Sequence, residues 1–106
     1  MATGRLGVAD LAADTLVTLY TCPAETFTVA SVSFCNRGNS PVAVRLAIAV
    51  DDTPTNAEFI EFDVELLPKG VLERTGIILD DGKKLVVRSS AVNVSAVAFG
   101  IETPTI

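Results

Sequence analysis

A chain of 106 residues, 49% hydrophobic and 20% charged, amounts to one domain, able to bury a modest core and too apolar to be disordered. Eight basic residues against 13 acidic ones leave a formal net charge of −5, a field that repels nucleic acid rather than attracting it. Histidine is absent, so a serine or thiol nucleophile lacks its usual base.

The first fourteen residues, MATGRLGVADLAAD, hold no apolar block long enough for a signal peptide and no strand alternation. With Gly4 and Gly7 among the apolar Leu6, Val8 and Leu11, residues 1–14 read as an N-terminal arm that packs on a neighbouring subunit, ahead of a folded domain over 15–106. The tail ETPTI, ending in Ile106, reads as a second arm. No stretch approaches the run of about 18 apolar residues that a membrane span requires, and a reducing cytoplasm is the expected site of synthesis.

From Thr15 the chain alternates strand and turn. TLVTLYT is rich in β-branched residues and stops at Pro23, which cannot continue a central ladder. FTVASVSFCN, from Phe27 to Asn36, carries no charge on either parity, so it is expected mid-sheet and covered on both sides. RGNSP turns the chain, with Gly38 and Asn39 tolerating positive φ. In VAVRLAIAV the larger residues Val42, Val44, Leu46, Ile48 and Val50 share one face, and Ala43, Arg45, Ala47 and Ala49 share the other. After the polar loop DDTPTNAE comes FIEFDVEL, then turns at PKG and DDG, and finally VSAVAFGIE. Seven to eight such strands, with no helical period and no internal repeat, predict an all-β single antiparallel β-sandwich or jelly roll. Leu46, Ile48, Ile60, Phe62, Val97 and Phe99 are the expected core.

FIEFDVEL sets Glu61, Asp63 and Glu65 two apart, on one strand face and about 7 Å from one another. Paired acids at such a spacing serve inverting glycosidases. That chemistry also needs sugar platforms and one carboxyl raised by burial, whereas this chain has no tryptophan and one tyrosine, Tyr20. The row therefore reads as a solvated face or a charged contact to a partner's arginines, and it protects an edge from aggregation. DDTPTN lacks the alternating ligands, glycine and terminal glutamate of a calcium loop. Cys22 and Cys35 match no zinc spacing and read as buried free thiols, with a disulfide as the lesser reading. No catalytic, metal or cofactor residues are assigned. Arg45, alone among alanines on its face, either pairs with a carboxylate such as Glu61 or Asp63 or anchors another subunit. Arg37, in the turn NRG, is a second interface candidate, while Asn36 is expected to satisfy loop backbone.

Two segments together resemble small virion structural proteins of tailed bacteriophages. In LGVADLAADTLVTLYTCPAETFTVASVSFCNRG, a leading Leu6-Gly7 precedes Leu19-Tyr20-Thr21 and Pro23, and a long strand ends in Cys35-Asn36-Arg37-Gly38. The second segment, VRLAIAVDDTPTNAEFIEFDVELLPKGVLERTGIIL, is similar through its PKGVLERTG hairpin. The resemblance implies a small sandwich without enzymatic activity that assembles in the virion after synthesis in a host bacterium. Its expected partners are capsid or other virion proteins and further copies of itself, in a trimer or ring. A capsid decoration or cement subunit is the first expectation; a neck, tail or baseplate component is the alternative, and a host-surface adhesion module ranks below both. Leu6, Val8, Leu11, Arg37, Arg45 and Ile106 are the expected interface residues.

Overall fold

The computed structural model describes residues 2–105. Eight strands follow one another: β1 (Thr3–Leu11), β2 (Val17–Thr21), β3 (Thr26–Asn36), β4 (Val42–Ala49), β5 (Phe59–Leu66), β6 (Val71–Leu79), β7 (Lys84–Ser89) and β8 (Val94–Pro104), with a short 3-10 turn at Asn56–Glu58 before β5. One four-stranded antiparallel sheet runs β1-β8-β3-β6 and the other β2-β7-β4-β5. Only β4 and β5 are sequential neighbours within a sheet, so every other connection crosses to the opposite one. This order is that of an eight-stranded jelly roll, as expected of the fold class.

The charge-free β3 does lie mid-sheet, between β8 and β6. Its even-numbered residues Thr28, Ala30, Val32, Phe34 and Asn36 are buried between the sheets. They meet Leu11 of β1, Val44 and Leu46 of β4, Leu79 of β6 and Leu85 and Val87 of β7 in one core. Large side chains sit beside small ones. Phe34 faces Ala96 across the β3–β8 ladder, and Ala96 and Ala98 complete the inner face of β8.

That arrangement corrects part of the expected core. Leu46 is fully buried and Ile48 and Ile60 pack half-buried against the core, but Val97 and Phe99 point outward and are only half-covered. Size was a poor guide on β8, because Phe34 already fills the space beside it. Phe62 is exposed for a different reason. Val44 pairs with Val64 and Leu46 with Glu61, so Phe62 and Asp63 together oppose the single residue Arg45. Asp63, at φ 53°, makes this bulge, and one extra residue reverses which side chains face the core.

The expected N-terminal arm is instead the first strand of the sandwich. Thr3–Leu11 pairs antiparallel with β8 along its length. Arg5 pairs with Phe99 and Gly7 with Ala98, leaving Leu6 as an extra residue, and this bulge erases the period-two signal. Gly7 is required where β1 crowds β2, because a Cβ there would stand 2.1 Å from the Leu19 carbonyl oxygen. Leu11 lies in the core and Leu6 packs against it. Beyond the strand, Asp14 donates its amide to the Ser89 carbonyl at 2.8 Å.

Candidate assembly surface

The two outer faces of the sandwich differ. On the β2-β7-β4-β5 sheet, Ala47, Ala49 and Val86 alternate outward yet are fully buried, with Phe59 packed on them. The β4–β5 loop reaches across this face, where Asp52 accepts a hydrogen bond from the Thr18 hydroxyl of β2 and lies 3.8 Å from Lys84 of β7. Glu58 stiffens the loop by accepting from the amides of Thr55 at 2.8 Å and Val50 at 3.2 Å. Beside it, Arg45 donates to both Asp63 oxygens, at 2.6 and 3.1 Å, and lies 4.0 Å over the Phe62 ring. Phe62 in turn meets Phe59 edge-to-face at 5.2 Å. This ion pair holds the Asp63 carboxyl below its ordinary range. The chain covers the centre of this face itself, leaving Phe62 and Val50 exposed beside the loop.

The outer face of the β1-β8-β3-β6 sheet has no such cover. Its residues form rows across the strands. Ile78 of β6, Val29 of β3 and Ile101 of β8 are direct neighbours, and Thr3 of β1 extends that row. Ser31, Phe99 and Arg5 form the next, and Glu73, Ser33, Val97 and Val8 the one after. Ile78 is 66% exposed, Ile101 54%, Val8 55%, Val29 44% and Phe27 37%. Exposed aliphatics this close together form a continuous patch rather than the scattered singles of an ordinary surface. The two inner strands, β8 and β3, place no charge on its middle, while Arg5 and Asp10 lie on the β1 edge and Glu73 on the β6 edge.

Of the expected interface residues, Val8 alone lies on this patch. Leu6 and Leu11 belong to the chain's own core. Arg37 sits at one end of the sandwich, bonded to Asp10, and Arg45 is engaged by Asp63 on the opposite face. Ile106 lies outside the described residues. Phe27, Val29, Ile78 and Ile101 were not singled out from the sequence, although the signal was present. A strand apolar on both parities requires two covers, and the folded chain supplies β3 with one.

Of the carboxylate row of β5, Asp63 and Glu65 keep to the outer face and Glu61 leaves it. Glu61 turns toward the open edge between the sheets, 3.2 Å from Arg74 of β6, Asp63 binds Arg45, and Glu65 is exposed. Among the described residues, no three His, Cys, Asp or Glu side chains stand together as a metal site would require. Both cysteines are free thiols, with Cys22 buried and Cys35 half-exposed. A cleft of about 210 Å³ opens beside Asn36, Asn39, Ala91 and Asn93. Asn36 is saturated there, donating to the Ser40, Leu66 and Leu67 carbonyls and accepting from the Gly38 amide.

A second polar cluster ties the sheets together internally. Glu102 of β8, buried, accepts from the Tyr20 hydroxyl of β2 and from the Ala2 amide at 2.8 Å. With its own proton given to Glu102, the Tyr20 oxygen accepts from the Thr28 hydroxyl at 2.8 Å, and Thr28 lies 3.3 Å from Cys22 Sγ. The Tyr20 and Ala2 bonds hold Glu102 below its ordinary 4.5, and burial first, then Glu102, raises Tyr20. A depressed carboxyl stabilises the fold fully above its unfolded value and loses that contribution as pH falls through the folded one. Thermal stability is therefore expected to decline below about pH 4.5, and Glu102→Gln should be less stable than the parent at neutral pH with a shallower acid decline. A pH series of melting temperatures for the two proteins checks this.

No family model matches the chain, and no curated protein matches it in sequence.

Proposed function

We propose that this protein is a non-enzymatic structural subunit of a bacteriophage virion, most simply a capsid decoration or cement subunit that stabilises the assembled particle as a homo-oligomer. The observation that carries the reading is the unequal treatment of the two outer faces. One has its centre covered by the chain's own loop, with Phe62 and Val50 exposed beside it, and the other leaves Val8, Phe27, Val29, Ile78 and Ile101 exposed across its strands. A protein that goes on to assemble has reason to keep such a face open, and a solitary one does not. The jelly-roll order supports the reading by analogy, since capsid domains use it, although lectins and cupins use it too. The resemblance of the Leu19-Tyr20-Thr21 and Cys35-Asn36-Arg37-Gly38 segments to phage virion proteins points the same way. A neck or tail component remains the alternative. A glycan-binding module is less well supported, because the open face carries no tryptophan or tyrosine to stack on sugar rings.

The test is the composition and map of purified particles. A shell subunit is expected by mass spectrometry at high copy number and by cryo-electron microscopy at repeated shell positions. A few copies on the tail axis would transfer the assignment to the neck or tail, and absence from particles would overturn it.

A further inference from the structure

The open face has properties that single out its occupant. Its middle is uncharged on a chain of net charge −5, with apolar side chains interleaved by the small Ser31, Ser33 and Ser95, so it offers nothing for a charged partner to recognise and suits a surface equally flat and neutral. Four strands about 4.8 Å apart and about 30 Å long span on the order of 600 Å². Two such faces in contact bury on the order of 1,200 Å², which reaches the range of specific, stable interfaces. On the β1 edge lie Arg5 and Asp10, with Asp10 engaged by Arg37, and on the β6 edge lies Glu73, one row from Arg5 in the ladder.

We infer that the outer face of the β1-β8-β3-β6 sheet closes on the same face of a second copy, about a two-fold axis running along the strands. That axis sets β1 of one copy over β6 of the other, and β8 over β3. The Ile78–Val29–Ile101 row then packs on its own counterpart, as in aligned sheet-on-sheet packing. Each Arg5 approaches the partner's β6 edge near Glu73, so the charges at the rim match twice. An isologous contact requires such self-complementarity. A virion built from this chain would then receive it in pairs, so the inference deepens the structural-subunit reading without depending on it.

Sedimentation equilibrium of the purified chain tests the pairing. The parent is expected to be a dimer. Val29→Lys should be a folded monomer, since Val29 lies outside the core and its circular dichroism and melting should remain those of a β protein. Arg5→Glu alone should weaken the dimer about tenfold or more, and Arg5→Glu combined with Glu73→Arg should restore most of the loss. A parent chain that is monomeric even at about 100 μM would overturn the pairing. A dimer unaffected by Val29→Lys, or a double charge reversal no better than the single change, would overturn this face and this axis. A chain that dimerises as described yet is absent from particles would refute the virion role and leave the pair standing. A monomer found in particles would do the reverse.

Discussion

Deleting residues 1–14 is expected to unfold the chain rather than merely to detach it from an assembly. Thr3–Leu11 forms the complete β1 ladder with β8. Leu11 is 2% exposed, and Leu6 packs on the same core. Loss of a single buried leucine side chain costs about 2–5 kcal/mol. Removing the strand also opens the edge of β8 and takes the Ala2 amide from buried Glu102. The combined loss should exceed about 5 kcal/mol, comparable to the whole stability of many domains, and lower the melting temperature by about 20 °C or more if any cooperative transition survives. Circular dichroism of the truncated protein decides the matter. A truncation that melts like the parent would make β1 a dispensable arm after all.

The second large effect is expected at Asn36. This fully buried side chain gives its amide protons to three carbonyls and accepts from the Gly38 amide, fastening the end of β3 to the β3–β4 and β5–β6 turns. Asn36→Leu would match its bulk but deprive the Leu66 carbonyl of its partner in the interior and drop the bonds to the Ser40 carbonyl and Gly38 amide at the turn, while the Leu67 carbonyl keeps the Gly70 amide. One buried unsatisfied group costs about 1–3 kcal/mol, so with the lost turn bonds a loss of about 2–4 kcal/mol is expected in denaturant unfolding. Asn39→Ala, in the exposed turn of the same cleft, should change stability by less than about 0.5 kcal/mol. Equal effects at the two positions would contradict the fastening role.

The all-β class and the approximate positions of most strands were legible because strand alternation and turn residues leave a local signature. So was the role of Asn36 beside its turn, and the pairing of Arg45 with a carboxylate. Apart from Val97 and Phe99, turned outward where Phe34 fills the core, the failures on β1 and β5 share a cause in bulges. At Asp63 one extra residue sent Phe62 out and Glu61 toward the sheet edge, and at Leu6 another disguised β1 as an arm. A bulge depends on pairing with a distant strand, so the local pattern cannot announce it. The open face was half-legible. The uncharged β3 did require two covers, but that the second would be missing depended on the β4–β5 loop lying over the opposite sheet, a tertiary fact set by Asp52 meeting Thr18 and Lys84.

This open face is expected to be covered in the working assembly. Two valines provide a matched test: Val29 on the face is 44% exposed, and Val50, beside the loop of the opposite sheet, is 64% exposed. Each is changed to lysine, folding is confirmed by melting, and the amount incorporated into purified particles is measured by quantitative mass spectrometry. Val29→Lys should be excluded and Val50→Lys incorporated like the parent. Equal incorporation of the two folded variants would contradict it.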